Sequence, residues 1–168
     1  MNEITSISQL PNVPAVYAMF GGHRRKKYVA YVGLAGKLRS RLEKHLVRKD
    51  SSVTMGGSAV SLNPEFVTEV QWWEHPEFEK KDVLRAVELV AFFVFEPALR
   101  SRGGITDRAR KLYDSDGFFR RWRTILEGEA TGRLVIHTAS DIRHRLADHE
   151  ARLHALEQKV AATKKRKG

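Results

Sequence analysis

The chain has 168 residues, enough for one compact domain with an appendage and too few for two full domains. Its 30 Lys and Arg against 20 Asp and Glu leave a formal charge of +10, which favours anionic partners such as nucleic-acid backbones or acidic membrane surfaces. There is no cysteine. Disulfide staples, cysteine-ligated zinc and thiol nucleophiles are therefore excluded, and the composition suits a reducing, cytoplasmic setting.

The start "MNEITSISQL" lacks the basic flank and apolar core of a secretory signal. "AVYAMF" and "YVAYV", rich in β-branched and aromatic residues, bracket "GGHRRKK" and predict a β-hairpin with a basic loop. After Gly33 the periodicity turns helical: Ala35, Leu38, Leu42 and Leu46 share one stripe, and Lys37, Arg41, Lys44, His45 and Arg48 line its flank. "DSSVTMGGSAVSLNP" reads as a loop and "EFVTEVQWWEH" as a third strand. Trp72 and Trp73 alternate faces there, so one enters the core while the other is partly exposed and available to stack on a base.

A helix follows from about Glu79 to Phe95, stopped by Pro97. Its "AVELVAFFVF" is the most apolar run of the chain, yet it is too short to span a bilayer and contains Glu88. That pattern predicts a buried helix and no membrane partner. "RSRGGITDR" reads as a second basic loop, and "SDGFFRRWRTILEG" as a short helix capped by Ser115 or Asp116. From about Ser140 a long polar helix runs to "KKRK". The order predicts an α/β fold: a small, mostly antiparallel three-stranded sheet flanked by helices, with a long C-terminal helix as an extension. It divides into a first domain at 1–103, a helical connector packed on it at 104–138, and a coiled-coil-like helix with a basic tail at 139–168.

Four residues stand out chemically. Tyr17 and Tyr31 sit in strands, where tyrosine is common because its ring packs well. Arg41 lies on a basic helix face, where most arginines are simply solvated. Glu88 is different, because a carboxylate in an apolar helix must meet a cation, a metal or a hydrogen-bond donor. Taken alone, it fits a structural ion pair or a functional role equally well.

In order and spacing, these residues resemble the GIY-YIG nuclease family over about Leu10 to Arg102. Its first motif corresponds to Ala15, Val16 and Tyr17, its second to Tyr31, Val32 and Gly33, its helical arginine to Arg41, and its glutamate before a proline to Glu88 and Pro97. Ala15 stands where the first motif has glycine, and Arg100 where members often carry asparagine. The resemblance implies an endonuclease that hydrolyses phosphodiester bonds with Mg²⁺, or alternatively Mn²⁺, and takes DNA before RNA. Glu88 would then be the metal ligand, for an ion that keeps most of its waters. Arg41 would hold the scissile phosphate through paired donors. Tyr17 would be the water-activating base and Tyr31 an orienting group, with these roles exchangeable. Gly33 would allow close backbone approach. His45, one turn beyond Arg41, would touch substrate or assist proton transfer, unless it is a solvated surface histidine.

Phosphate contacts are expected from Arg24, Arg25, Lys26 and Lys27 beside His23, from Lys37, Lys44 and Arg48, and from Arg100 and Arg102. A rival reading is a non-catalytic nucleic-acid-binding protein that retains the nuclease fold. Another is an assembly protein whose terminal helix recruits partners. On that helix Ile142, Leu146, His149, Leu153, Leu156 and Val160 follow the alternating steps of a coiled-coil seam. The pattern predicts a homodimer through residues 140–162, the alternative being a helix folded back on its own domain.

Overall fold

In the computed structural model, which describes residues 1–22, 27–48, 64–100, 104–137 and 139–165, the two tyrosine-bearing runs form the centre of a six-stranded mixed sheet. The strands are β1 (Asn2–Ile4), β2 (Ala15–Gly21), β3 (Tyr28–Ala35), β4 (Val67–Glu74), β5 (Leu99–Arg100) and β6 (Gly132–Val135). They lie in the order β1-β6-β4-β2-β3-β5. β2 pairs antiparallel with β3 on one side and β4 on the other, and β6 adds antiparallel to β4. The outer strands β1 and β5 pair in parallel with β6 and β3.

The expected sheet of three strands is thus only the middle of a larger one. β1, β5 and β6 have 3, 2 and 4 residues, too short for alternation to register as a pattern. β6 also means that the stretch expected to be a purely helical connector supplies a strand of the sheet. Residues 1–136 make one compact unit and 137–168 another.

The helices are α1 (Leu38–Leu46), α2 (Lys81–Phe95), α3 (Asp107–Tyr113), α4 (Asp116–Glu127) and α5 (Ala139–Lys165). Ala35 stays in β3, so the helical stripe begins at Leu38. α3 takes up the last two residues of the stretch expected to be loop and runs on within the connector expected to be helical. Thr106 caps it by accepting from the Ala109 amide, and its hydroxyl donates to Asp82 of α2 at 2.8 Å. α2 starts two residues later than expected because Pro76–Glu79 form a separate 3-10 turn. It ends at Glu96, which takes the left-handed conformation (φ 42°) just before Pro97.

Both faces of the sheet are buried. Leu38 and Leu42 of α1 pack with Tyr17, Met19, Tyr31, Val70 and Trp72 on one face. Val83, Val87 and Val90 of α2 and Trp122 of α4 pack with Val16, Val32 and Trp73 on the other. This corrects the reading of the tryptophan pair. Trp72 and Trp73 do take opposite faces, but they are only 2 % and 3 % exposed, so neither is open to stack on a base.

Two register shifts sit at one end of the sheet. Met19 pairs with Tyr31 and Phe20 with Val29, leaving Ala30 as an extra residue in β3. Phe20 pairs with Glu69 and Gly21 with Val67, leaving Thr68 extra in β4. In α5, Leu146, Leu153 and Leu156 are exposed. No helix among the described residues is long and apolar enough to cross a membrane.

Candidate active site

Tyr17 in β2 lies opposite Gly33 in β3, and Tyr31 precedes Gly33 by two positions on the same face. The two phenols are therefore diagonal neighbours across the central ladder, with ring centroids 6.0 Å apart. Both lean over the one residue that has no side chain. A Cβ on Gly33 would lie 2.9 Å from each phenol oxygen and 2.7 Å from the Tyr31 ring. The glycine makes room for two converging hydroxyls. It is buried beneath them rather than open to a nucleic-acid backbone, which revises the role expected from its position between strand and helix.

α1 supplies the next layer. Leu38 and Leu42 anchor it to this face, and Arg41 and His45, one turn apart, share the flank that reaches the tyrosines. His45 is 4 % exposed, with its ring 5.7 Å from Tyr31 and 6.4 Å from Tyr17. A solvated surface histidine is thereby excluded. Two polar atoms in the cluster are sealed from solvent without a well-formed hydrogen bond, the Tyr17 hydroxyl and Arg41 Nε. The Tyr17, Tyr31 and Arg41 side chains nonetheless lie close enough to interact with one another, through loose rather than ideal hydrogen-bond geometry.

Electrostatics couples the group. Burial pushes the Tyr17 phenol well above its ordinary pKa, the neighbouring Tyr31 adds to this, and Arg41 pulls the other way. Burial also raises Tyr31; Arg41 lowers it, and the Glu88 carboxylate raises it further. For Arg41, burial disfavours the charge, but the two phenols outweigh it and the pKa rises. Both phenols are therefore protonated at neutral pH and Arg41 is firmly cationic. Glu88 is buried in α2, whose apolar residues pack on the other face of the sheet, and its charge acts on Tyr31.

No protein-family model matches the chain, and neither a characterised protein nor a solved structure is significantly similar to it. The functional reading therefore rests on the cluster itself.

As a metal centre the cluster offers one carboxylate. Among the described residues there is no group of three His, Asp or Glu that could hold an ion. A single carboxylate fits Mg²⁺, which retains waters and binds through one or two carboxylates plus substrate phosphate. It does not fit Ca²⁺ or structural zinc, which need more protein ligands.

The expected phosphate contacts divide into groups. Lys37, Lys44 and Arg48 are exposed on or beside α1. Lys27 is not free for phosphate, because its ammonium meets Glu69 at 2.7 Å and lies over the Phe20 ring. Phe20 packs on the α2 side of the sheet, away from the tyrosine pair. Arg100 is in β5, paired with Val32, one position after Leu99 pairs with Tyr31. His23, Arg24, Arg25, Lys26 and Arg102 lie outside the described residues. One aromatic on the tyrosine face went unnoticed in the sequence, Tyr28 at the start of β3. Its odd spacing from Tyr31 implies the opposite face unless the extra residue Ala30 is known.

Proposed function

We propose that this protein is a GIY-YIG-type endonuclease that hydrolyses phosphodiester bonds of nucleic acid, DNA first, with Mg²⁺ or Mn²⁺ held at Glu88. The observation that carries this is the convergence of the two phenol hydroxyls over Gly33, beside the Arg41 guanidinium and within the field of Glu88. Two strands and α1 bring two phenols and a guanidinium into mutual interaction in the interior, with the charge of Glu88 in α2 acting on Tyr31, an arrangement that core packing alone does not call for.

The lesser desolvation of Tyr31 supports giving it the base's role and leaving Tyr17 to orient, the exchange of the sequence-based assignment. Ionised Tyr31 takes a proton from the attacking water, Arg41 stabilises the charge added at phosphorus, and the departing oxygen takes a proton from solvent. His45 packs against Tyr31 and fixes its ring. A divalent cation at Glu88 would supply Lewis-acid stabilisation and reverse the local charge that opposes a phenolate.

The direct test is incubation with supercoiled, linear, branched and single-stranded DNA, and with RNA, in Mg²⁺ and in EDTA. Metal-dependent cleavage of any of these supports the reading. Tight binding of the same substrates without turnover would leave a nucleic-acid-binding protein instead.

Arg41→Lys is expected to reduce single-turnover cleavage by about ten- to a hundredfold, because an ammonium cannot reproduce the paired planar donors around a phosphate. Equal rates for variant and wild type would reduce Arg41 to one cation among many. The coiled-coil spacing on α5, with Leu146, Leu153 and Leu156 exposed, supports a homodimer in which two sites cut opposite strands. Removing residues from Ser140 onward should give a monomer that nicks supercoiled DNA more than it linearises it. Sedimentation showing the full chain monomeric at tens of micromolar would defeat the dimer.

A further inference from the structure

Beyond the cleavage chemistry, we infer that Tyr28, with Phe66 beside it, is a stacking platform for an unpaired nucleobase next to the phosphate held at the tyrosine cluster. The location, though not the platform itself, rests on the nuclease reading above.

Tyr28 begins β3, three positions before Tyr31. In a regular strand that spacing places the two side chains on opposite faces. The extra residue Ala30 restores them to one face. Two pairings agree. Tyr28 lies opposite Gly21, and Gly21 lies opposite Val67, which packs in the same cluster as Tyr17 and Tyr31. The Tyr28 hydroxyl from β3 and the backbone carbonyl of Phe66, in the 3-10 turn just before β4, approach the space above Gly21, 2.8 Å and 3.0 Å from where a Cβ would stand. Tyr28 is thus laid across the glycine, about 10 Å along the strand from Tyr31. That is within reach of a short stretch of single strand.

Covering a glycine is itself a reason for an aromatic at this position. It accounts for the hydroxyl end of the ring. It does not account for a tyrosine still 49 % exposed beside a phenylalanine that is 66 % exposed. Phe93, another exposed ring, is edge-packed on Phe119 and approached by Arg123. Neither Tyr28 nor Phe66 stacks on another ring among the described residues. One open ring on the face of the candidate site, with a second exposed ring on a residue whose backbone adjoins it, in a chain of charge +10, matches what single strands require: phosphates drawn by charge and bases held by π-faces. The adjacent cation is turned away, since Lys27 is held by Glu69 and Phe20. The contact at Tyr28 is therefore stacking rather than ion pairing, and this separates it from the basic surface experimentally.

The test uses the full chain in EDTA, so that nothing is cut. Anisotropy is measured across a salt series with single-stranded DNA, single-stranded RNA and a duplex of the same sequence. Tyr28→Leu keeps an apolar cover over Gly21 but removes the ring. It should weaken binding of both single strands by roughly five- to a hundredfold. The duplex should change little, and the slope of affinity against salt should stay the same. Tyr28→Phe should bind like wild type. Phe66→Ala, at an open position, should lose single-strand affinity in the same direction. If wild type binds single strands and both Tyr28→Leu and Phe66→Ala bind them equally well, the platform is wrong and the nuclease reading stands. Equal losses on single strand and duplex also overturn it. If wild type binds none of the three nucleic acids, both proposals fail. Should Tyr28→Leu not fold, photo-crosslinking of wild type to a bromouracil-containing single strand decides the matter. Adducts on Tyr28 or Phe66 support the platform, and adducts confined to other residues overturn it.

Discussion

Glu88→Gln is expected to lower metal-dependent cleavage by about a thousandfold, some 4 kcal/mol of transition-state stabilisation, while nucleic-acid affinity at fixed salt stays within about twofold. Glutamine keeps the volume and much of the hydrogen-bonding capacity of a side chain buried in α2, so the helix has little reason to rearrange. What disappears is the charge. No trio of acidic or histidine side chains among the described residues offers a substitute site for the ion. Binding depends on the basic surface, which the substitution does not touch. A second readout needs no activity. The Glu88 carboxylate raises the pKa of Tyr31, so neutralising it must make that phenol easier to ionise. In a titration of tyrosinate absorbance, one transition should move to lower pH in the variant. Cleavage at the wild-type rate would make Glu88 a structural residue and remove the proposed metal centre. An unmoved titration would place it too far from Tyr31 to act there.

The parts of this site that could be read from the sequence are those fixed by spacing along one element. The hairpin follows from two β-rich runs around a polar loop, and Arg41 and His45 share a flank because they are one turn apart. What could not be read depends on neighbours in space. Alternation put Trp72 and Trp73 on opposite faces, but only the helices on both sides of the sheet decide that both are buried. The same period hides Tyr28, since a single inserted residue, Ala30, reverses the face that strict alternation from Tyr31 would give it. Lys27 was counted among the phosphate contacts for its company in the sequence, whereas Glu69, far along the chain, holds it elsewhere. The resemblance implied Tyr17 as base with the roles exchangeable, and nothing in the sequence reports desolvation, the largest influence on both phenols. β1, β5 and β6 escaped because strands this short borrow their conformation from the edge they join.

Gly33→Ala should be nearly as damaging to activity as loss of a catalytic group, with a much smaller effect on folding. Gly33 does not use the positive φ that glycine permits, since Gly22 is the described glycine that does. Alanine therefore meets no backbone penalty here, and it stabilises slightly by restricting the unfolded chain, by about 0.4–1 kcal/mol. The cost is local crowding. The new methyl would stand 2.7 Å from the Tyr31 ring and 2.9 Å from both phenol oxygens, closer than real contacts allow. Tyr17 is fully enclosed and Tyr31 nearly so, and relieving the clash requires one of the two rings to shift. Overpacking of this kind costs about 1–3 kcal/mol, leaving a net loss small enough for the chain to stay folded. The hydroxyls, however, no longer converge. A displacement of about 1 Å in a reacting group is enough for about a hundredfold loss of rate. Because Arg41 and the exposed cations of α1 are untouched, the loss should fall on kcat rather than on KM. Near-ultraviolet circular dichroism and a melting curve distinguish this from unfolding. A folded Gly33→Ala protein that cuts as fast as wild type would mean that the meeting of the two phenols is a feature of packing and not of the chemistry.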